Sequence, residues 1–204
     1  MTTLMVVAKE PIAGRVKTRL HPPFSLAQAA QLAAACLADT LQALDGLSAT
    51  RRILLIDGAV APMTNWQQWR QPSGSLDERI AWCLDRLAEP MLLVGMDTPH
   101  LDQQVLAPAF AWPEQVDAFF GPAEDGGFWA LGLRRPNGGL VRGVPMSQPD
   151  TGRHQLDRLA GAGLRVQLLP TMRDIDCAAD LTVAVPRAPR LAAALADSGV
   201  VVAG

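Results

Sequence analysis

"TLMVVAKEPIAGRVKTRL", Thr3 to Leu20, is the stretch that decides the fold, through the join inside it. Thr3–Val7 is a short continuous apolar run, the pattern of a strand buried on both faces of a parallel sheet. Four cations follow at once, Lys9, Arg15, Lys17 and Arg19, in a segment that Pro11 and Gly14 keep irregular. Arg15, Lys17 and Arg19 alternate. In an extended loop they would face one way; on a helix they would splay by about 100° per residue. Open parallel sheets bind their ligands beyond the carboxyl ends of the strands. Cations placed there suit a di- or triphosphate, because arginine grips oxygens in pairs and lysine acts as a point charge. A solvated basic turn is the plainer alternative.

Outward from this join, strands and helices alternate. Ser25 opens a long helical pattern, with Gln28 placed as in a capping box and Leu26, Ala30, Ala33, Leu37, Leu41 and Leu44 on one face. Asp45-Gly46 stops it. Arg52–Asp57 is a second strand, and "APMTNWQQW" (Ala61–Trp69) reads as irregular. Gly74–Pro90 reads as a Gly-Ser turn and a helix that aligns Ile80, Leu84 and Leu87 and ends at Pro90. Met91–Asp97 is a third buried strand running into an aspartate. "VDAFFGP" (Val116–Pro122) and "FWALGL" (Phe128–Leu133) are strands around a Gly-Gly turn. Thr151–Ala162 reads as a helix and Arg165–Leu169 as a strand, and two short helical stretches close the chain, near Ala178–Val183 and Arg187–Ala196. The alternation predicts βαβ units and a mostly parallel sheet covered on both faces, in one domain over residues 1–204.

Hydrophobic residues make up 49% of the chain and charged residues 19%, a globular composition. A net charge of -2 argues against a protein that coats nucleic acid, so the basic cluster is local and fits a small anionic ligand. Cys36, Cys83 and Cys177 are odd in number and lack zinc spacing, which favours buried free thiols over disulfides. The first apolar run is too short for a signal-peptide core or a membrane span, so the expectation is a cytoplasmic enzyme or binding domain.

Three further stretches carry candidate chemistry. In "VGMDTPHL" (Val94–Leu101), Asp97 stands at a strand tip, where a carboxylate beside phosphates suits Mg²⁺ or Mn²⁺, ions that complete their shell with phosphate and water. Capping of a helix near Asp102, or an Asx turn with Pro99, is the alternative. In "GPAEDGGFWALGL" (Gly121–Leu133), Gly126 and Gly127 allow close backbone approach, and Asp125 could bind sugar hydroxyls or act as a base; an acidic hairpin tip is the alternative. In "RDIDCAADL" (Arg173–Leu181), Asp174 and Asp176 alternate and share a side if extended, and Asp176 also reads as an N-cap. His21, His100 and His154 are scattered, and His100 reads as a surface residue. Trp66, Trp69 and Trp82 read as core.

Taken in order, these motifs and "GSLDERI" resemble the bacterial DUF2064 proteins over roughly residues 3–185. That family lies in the nucleotide-diphospho-sugar transferase superfamily with the GT-A fold, with the phospholactate and molybdenum-cofactor guanylyltransferases as more distant members. The resemblance implies a GT-A-like α/β/α sandwich. It implies a nucleotide-phosphate loop at Gly14, Arg15, Lys17 and Arg19, with Lys9 near. Gly74, Ser75 and Arg79 would lie beside the nucleotide. Asp97, in a G-x-D-x-P motif, would be the metal ligand, assisted by the late aspartate Asp176, and Asp125, Gly126 and Gly127 would face the sugar or acceptor. Phe128-Trp129 stands where the family carries an aromatic pair with tyrosine, Cys177 where threonine is common, and "VPMSQPDTG" (Val144–Gly152) where a tryptophan often falls. These departures lie on the acceptor side or beside the late aspartate.

The expected activity is therefore metal-dependent transfer from a nucleotide-activated donor. In glycosyl transfer, a sugar moves from a nucleotide-diphospho-sugar to a small-molecule acceptor, with Arg15 and Lys17 sharing the diphosphate charge and Asp125 activating the acceptor. In nucleotidyl transfer, a phosphorylated small molecule attacks a nucleoside triphosphate and pyrophosphate leaves. A non-catalytic nucleotide-binding protein is the third reading. Neither a nucleic acid nor a membrane span is expected, and the sequence leaves oligomeric state open.

Overall fold

The computed structural model describes residues 1–202. A seven-stranded sheet forms its middle, in the order β3-β2-β1-β4-β6-β5-β7. The strands are β1 (Thr3–Lys9), β2 (Arg51–Asp57), β3 (Gln67–Arg70), β4 (Met91–Gly95), β5 (Ala118–Pro122), β6 (Phe128–Leu133) and β7 (Val166–Leu168). β6 pairs antiparallel with both β4 and β5, and every other pairing is parallel. The apolar run at the N-terminus is the buried parallel strand the sequence predicts, paired on both sides by β2 and β4.

Alternate residues of each strand supply opposite faces. Leu4, Val6, Leu54, Ile56, Leu92 and Val94 pack with Ala33, Leu37, Leu41 and Leu44 of α1 (Leu26–Asp45). Met5, Ile53, Leu55, Leu93 and Leu131 pack on the other face against Ile80, Cys83 and Leu84 of α2 (Leu76–Leu84) and Leu159 of α4 (Thr151–Gly161). The short α3 (Ala107–Ala111) leads toward β5. The outer face of α1 is covered by α5 (Leu181–Ala184) and α6 (Pro189–Ser198), with Leu32 and Cys36 meeting Leu181 and Leu191. α1 starts as its sequence predicts. The Gln28 amide N–H donates to Ser25 Oγ (3.2 Å), and the Ser25 amide N–H donates to Gln28 Oε1 (2.8 Å).

Several boundaries differ from the sequence reading. Gln67–Arg70 is a strand inside the stretch read as irregular. As the sheet's edge it needs no apolar alternation, and Trp69 is its one partly buried side chain. α2 ends at Leu84 rather than at Pro90, though Leu87 still packs beneath it. Leu26 is exposed, since α1 begins beyond the edge of the sheet's cover. Cys36 and Cys83 are buried free thiols, while Cys177 is free and exposed. His100 is half-buried rather than on the surface, and burial lowers its pKa. No helix among the described residues is long and apolar enough to cross a membrane.

Candidate functional site

β1, β4 and β5 run the same way, and β6 runs back. The loop after β1, Asp97 after β4, the Ala123–Gly127 turn and the Met172–Asp176 segment after β7 therefore all leave the sheet at one edge. The chain goes from β1 through α1 to β2 on one side, then returns through α2 to β4 on the other. The split between β1 and β4 is the kind of switch point where doubly wound sheets open a crevice.

A cleft with two compartments lies there. The first, about 570 Å³, is lined by Lys9, Arg15, Lys17 and Arg19, by Gly74, Ser75 and Arg79, and by Gln71, Asp97 and Asp176. The second, about 280 Å³, is lined by Val7, Leu76, Ile80, Leu93, Phe128 and Met146, with Asp97, Asp125 and Asp174 at its polar side. Val7, Leu76, Met96, Asp97 and Ser147 border both.

The basic loop is a series of turns, not an extended run. Lys17 takes a left-handed conformation (φ 48°) and enters a single 3₁₀ turn, Thr18–Leu20. Its side chain is only 4% exposed, with Nζ 2.5 Å from Asp97 Oδ1 and also donating to the Ile175 carbonyl. Burial pulls the ammonium's pKa down, but Asp97, with Cys36 and Asp174 adding to it, holds the group above the usual lysine value. Lys17 thus turns inward, while Arg15 and Arg19 stay exposed. Arg19 pairs with Asp176. Arg79 donates to Asp57 Oδ2 (3.0 Å), Gln71 Oε1 (3.2 Å) and the Gly74 carbonyl (2.7 Å), tying residues 71–74 to the end of β2. Among the described residues, the side chains of Lys9 and Arg15 have neither an ion-pair nor a hydrogen-bond partner, although both line the first compartment. The N-terminus of α2 opens onto the same compartment, and the Ser75 amide is answered by Glu78 (2.9 Å).

Asp174 and Asp176 both reach the cleft, but in different compartments and not on the one side that their alternation predicts. Ile175 between them is buried, and its amide donates to the Asp97 carbonyl at 3.0 Å. Asp174 then lines the second compartment and Asp176 the first. Asp174 Oδ1 is buried without a hydrogen-bond partner. Burial, then the charges of Asp97 and Asp125, push this carboxyl up to about 7. The carboxylate that shares a compartment with Asp97 and Asp125 is thus Asp174; Asp176 faces Arg19. Nor does Asp176 cap a helix. Asp180 accepts from the amides of Asp176 (2.9 Å) and Cys177 (2.7 Å), and Cys177 is the N-cap. Asp97 caps nothing either, since Asp102 serves the helical turn beyond it, accepting from the Gln104 amide at 2.9 Å.

The Asp125-Gly126-Gly127 turn divides. Asp125 Oδ1 accepts the Gly127 amide (2.8 Å), and both residues line the second compartment. Gly126 lies outside both compartments, contrary to its expected place beside the ligand. At φ 88° its carbonyl accepts the Gly152 amide (2.8 Å), and a Cβ there would sit 1.8 Å from the Pro149 carbonyl oxygen. The glycine is needed so that the turn can lie flat on the start of α4. Met146, Ser147 and Gln148, which line the second compartment, come from the Val144–Gly152 stretch where the family often carries a tryptophan; the sequence reading expects none of them in the site. Among the described residues, no group of three or more His, Cys, Asp or Glu side chains comes close enough to hold a metal ion by itself.

Comparison with known proteins bears on the family and the fold. Residues 40–148 match the family described as "Uncharacterized protein conserved in bacteria (DUF2064)", and the chain belongs to that family. No curated protein matches the sequence. Among solved structures, a protein from Desulfovibrio desulfuricans G20, provisionally named a nucleotide-diphospho-sugar transferase, is similar at 24% identity with a TM-score of 0.83, over 97% of this chain and 95% of that one. The 2-C-methyl-D-erythritol 4-phosphate cytidylyltransferase from Thermus thermophilus is similar at 15% identity with a TM-score of 0.52, over 98% of this chain and 100% of that one. A CMP:2-keto-3-deoxy-manno-octonic acid synthetase, solved with CTP, is similar at 10% identity with a TM-score of 0.54, over 89% of this chain and 95% of that one. The shared fold is the GT-A-like α/β/α sandwich expected from the sequence.

Proposed function

We propose that the protein is a metal-dependent glycosyltransferase, moving a sugar from a nucleotide-diphospho-sugar to a small-molecule acceptor. One observation carries the reading. Lys9 and Arg15, without a partner among the described residues, line the first compartment together with Asp97, at the carboxyl edge of β1 and β4. Unpaired cations converging on a cleft call for an anion, and a diphosphate spans such a spacing. The fold supports this, since a nucleotide-diphospho-sugar transferase and cytidylyltransferases are built on it.

The residues divide the work. Lys9, Arg15 and the N-terminus of α2 would hold the diphosphate and stabilise the charge it gains on leaving. Lys17 is a positioning residue, which keeps Asp97 aimed and ties it to Ile175. Asp97 and Asp174 are the residues that would hold a divalent ion. The orphaned Oδ1 of Asp174 and its raised pKa are those of a carboxylate short of positive charge, and both ligands are hard oxygens. When bound, the ion supplies Lewis-acid neutralisation of the diphosphate. Asp125 would accept the proton of the acceptor hydroxyl as its oxygen attacks the anomeric carbon. The bond from that carbon to the diphosphate oxygen breaks, and its electrons leave with the nucleoside diphosphate.

The test is a thermal-shift panel of nucleoside triphosphates and nucleotide-diphospho-sugars, with and without Mg²⁺ or Mn²⁺. Ligands that bind the folded state raise Tm by mass action. A metal-dependent shift with nucleotide-sugars, reduced in Asp97→Asn and Arg15→Ala, is the expected result. A shift with triphosphates alone, followed by pyrophosphate release, would replace glycosyl transfer with nucleotidyl transfer. Tight binding without turnover of any donor would leave a nucleotide-binding protein.

A further inference from the structure

From the charge and shape of the second compartment, we infer that it takes a neutral or cationic hydroxyl compound with an apolar body, and excludes phosphorylated or carboxylated acceptors. The inference rests on the transferase reading of the same cleft and specifies its acceptor.

The two compartments have opposite linings. The first is walled by five cations, Lys9, Arg15, Lys17, Arg19 and Arg79, against the carboxylates of Asp97 and Asp176. The second is walled by Asp97, Asp125 and Asp174, and among the described residues no lysine, arginine or histidine lines it. Its apolar surface, the floor on which a ligand body would lie, is formed by Val7, Leu76, Ile80, Leu93, Phe128 and Met146. Its neutral polar groups are also partly engaged: the Thr151 hydroxyl donates to the Pro145 carbonyl (2.8 Å) and accepts the Gln148 amide (3.0 Å). A phosphate or carboxylate entering here would meet like charge and find no side-chain cation to replace its water. Asp97 is already answered by Lys17, and a divalent ion held by Asp97 and Asp174 would offset those two carboxylates, but Asp125 has no ion-pair partner among the described residues. Asp125 would still face the newcomer. An alkyl or ring body fits the floor, its hydroxyl can donate to Asp125, and an ammonium would be attracted.

The inference can be tested without knowing the donor. The protein is labelled with ¹³C at its methionine methyls, and the Met146 signal is assigned with Met146→Leu. It is then titrated with 1,6-hexanediol, 6-amino-1-hexanol and 6-hydroxyhexanoate, three probes of one length that differ only at one end. Separately, Mg²⁺ with pyrophosphate probes the first compartment through Met96, which borders both. The neutral and cationic probes should move the Met146 signal, and the anionic probe should need a concentration about tenfold higher or more. Asp125→Asn should narrow that gap. If hydroxyhexanoate binds as well as the diol, or no probe moves Met146 at tens of millimolar, the inference is wrong. If pyrophosphate perturbs nothing while the diol binds, the phosphate reading fails and the acceptor inference stands by itself.

Discussion

The two compartments of the cleft share a wall yet are built differently. The first depends on long cationic side chains carried on turns. Arg15 and Arg19 sit exposed on the loop after β1, and Arg79 reaches back to the end of β2. The second depends on short distances: strand ends, Phe128 packed on Phe120 at 5.5 Å, and a glycine turn pressed against the start of α4. Charge acts over several ångströms and tolerates a moving lysine or arginine, whereas apolar contact and backbone approach fail within one. The first compartment should therefore lose binding by degrees under substitution, and the second should lose structure abruptly. Asp97, on the border, belongs to both.

The largest effect is expected at that border. Asp97→Asn removes the charge that pairs with Lys17 and that the proposed divalent ion would need. Turnover should fall about 10²- to 10³-fold, with metal dependence lost, as measured by release of nucleoside diphosphate. A smaller loss would mean that the two compartments do not meet at Asp97.

Gly126→Ala should cost about 2–3 kcal/mol in chemical denaturation, because a Cβ cannot fit beside Pro149 and the positive φ is strained as well. An unchanged midpoint would show the second compartment to be softer than its backbone contacts imply.

Lys9→Ala and Arg15→Ala should each weaken donor binding about tenfold, while leaving Tm without ligand unaltered, because neither side chain has a partner among the described residues. A fall in Tm would give them a structural role and blur the contrast.

Smallest and most specific is the pH behaviour of Asp174. Its folded pKa, about 7, lies above the ordinary carboxylate value of about 3.9 in the unfolded chain. Between those values the folded state holds a proton that the unfolded state has lost. Stability therefore falls as pH rises through this window. Asp174→Asn removes that loss. Its Tm should match the wild type near pH 4, exceed it by a few degrees at pH 8, and lose the advantage when Mg²⁺ is added to both. A gap that does not grow with pH would overturn the assignment of Asp174 as the carboxylate short of positive charge.

Much of this was legible in the chain and some was not. The apolar run Thr3–Val7, the Ser25–Gln28 cap and the hairpin around Gly126-Gly127 are local patterns, so periodicity and turn chemistry revealed the sheet and its covering helices. Strand-then-loop order also placed Lys9, Arg15, Asp97 and Asp125 at one edge, since parallel strands deliver their carboxyl ends together. What the sequence determined by itself, then, was the fold, the working edge and the kinds of charge found there. Only the tertiary structure decided which charges meet. Lys17 abandons its neighbours for Asp97 and Ile175, Asp174 rather than Asp176 enters the second compartment, and Gly126 turns away from the cleft. The edge strand β3 likewise has a partner on one side only, and its polar sequence hides it. In each case the partner is remote in sequence and the outcome turns on a few ångströms of packing, which depends on the assembled core and not on the spacing of residue types.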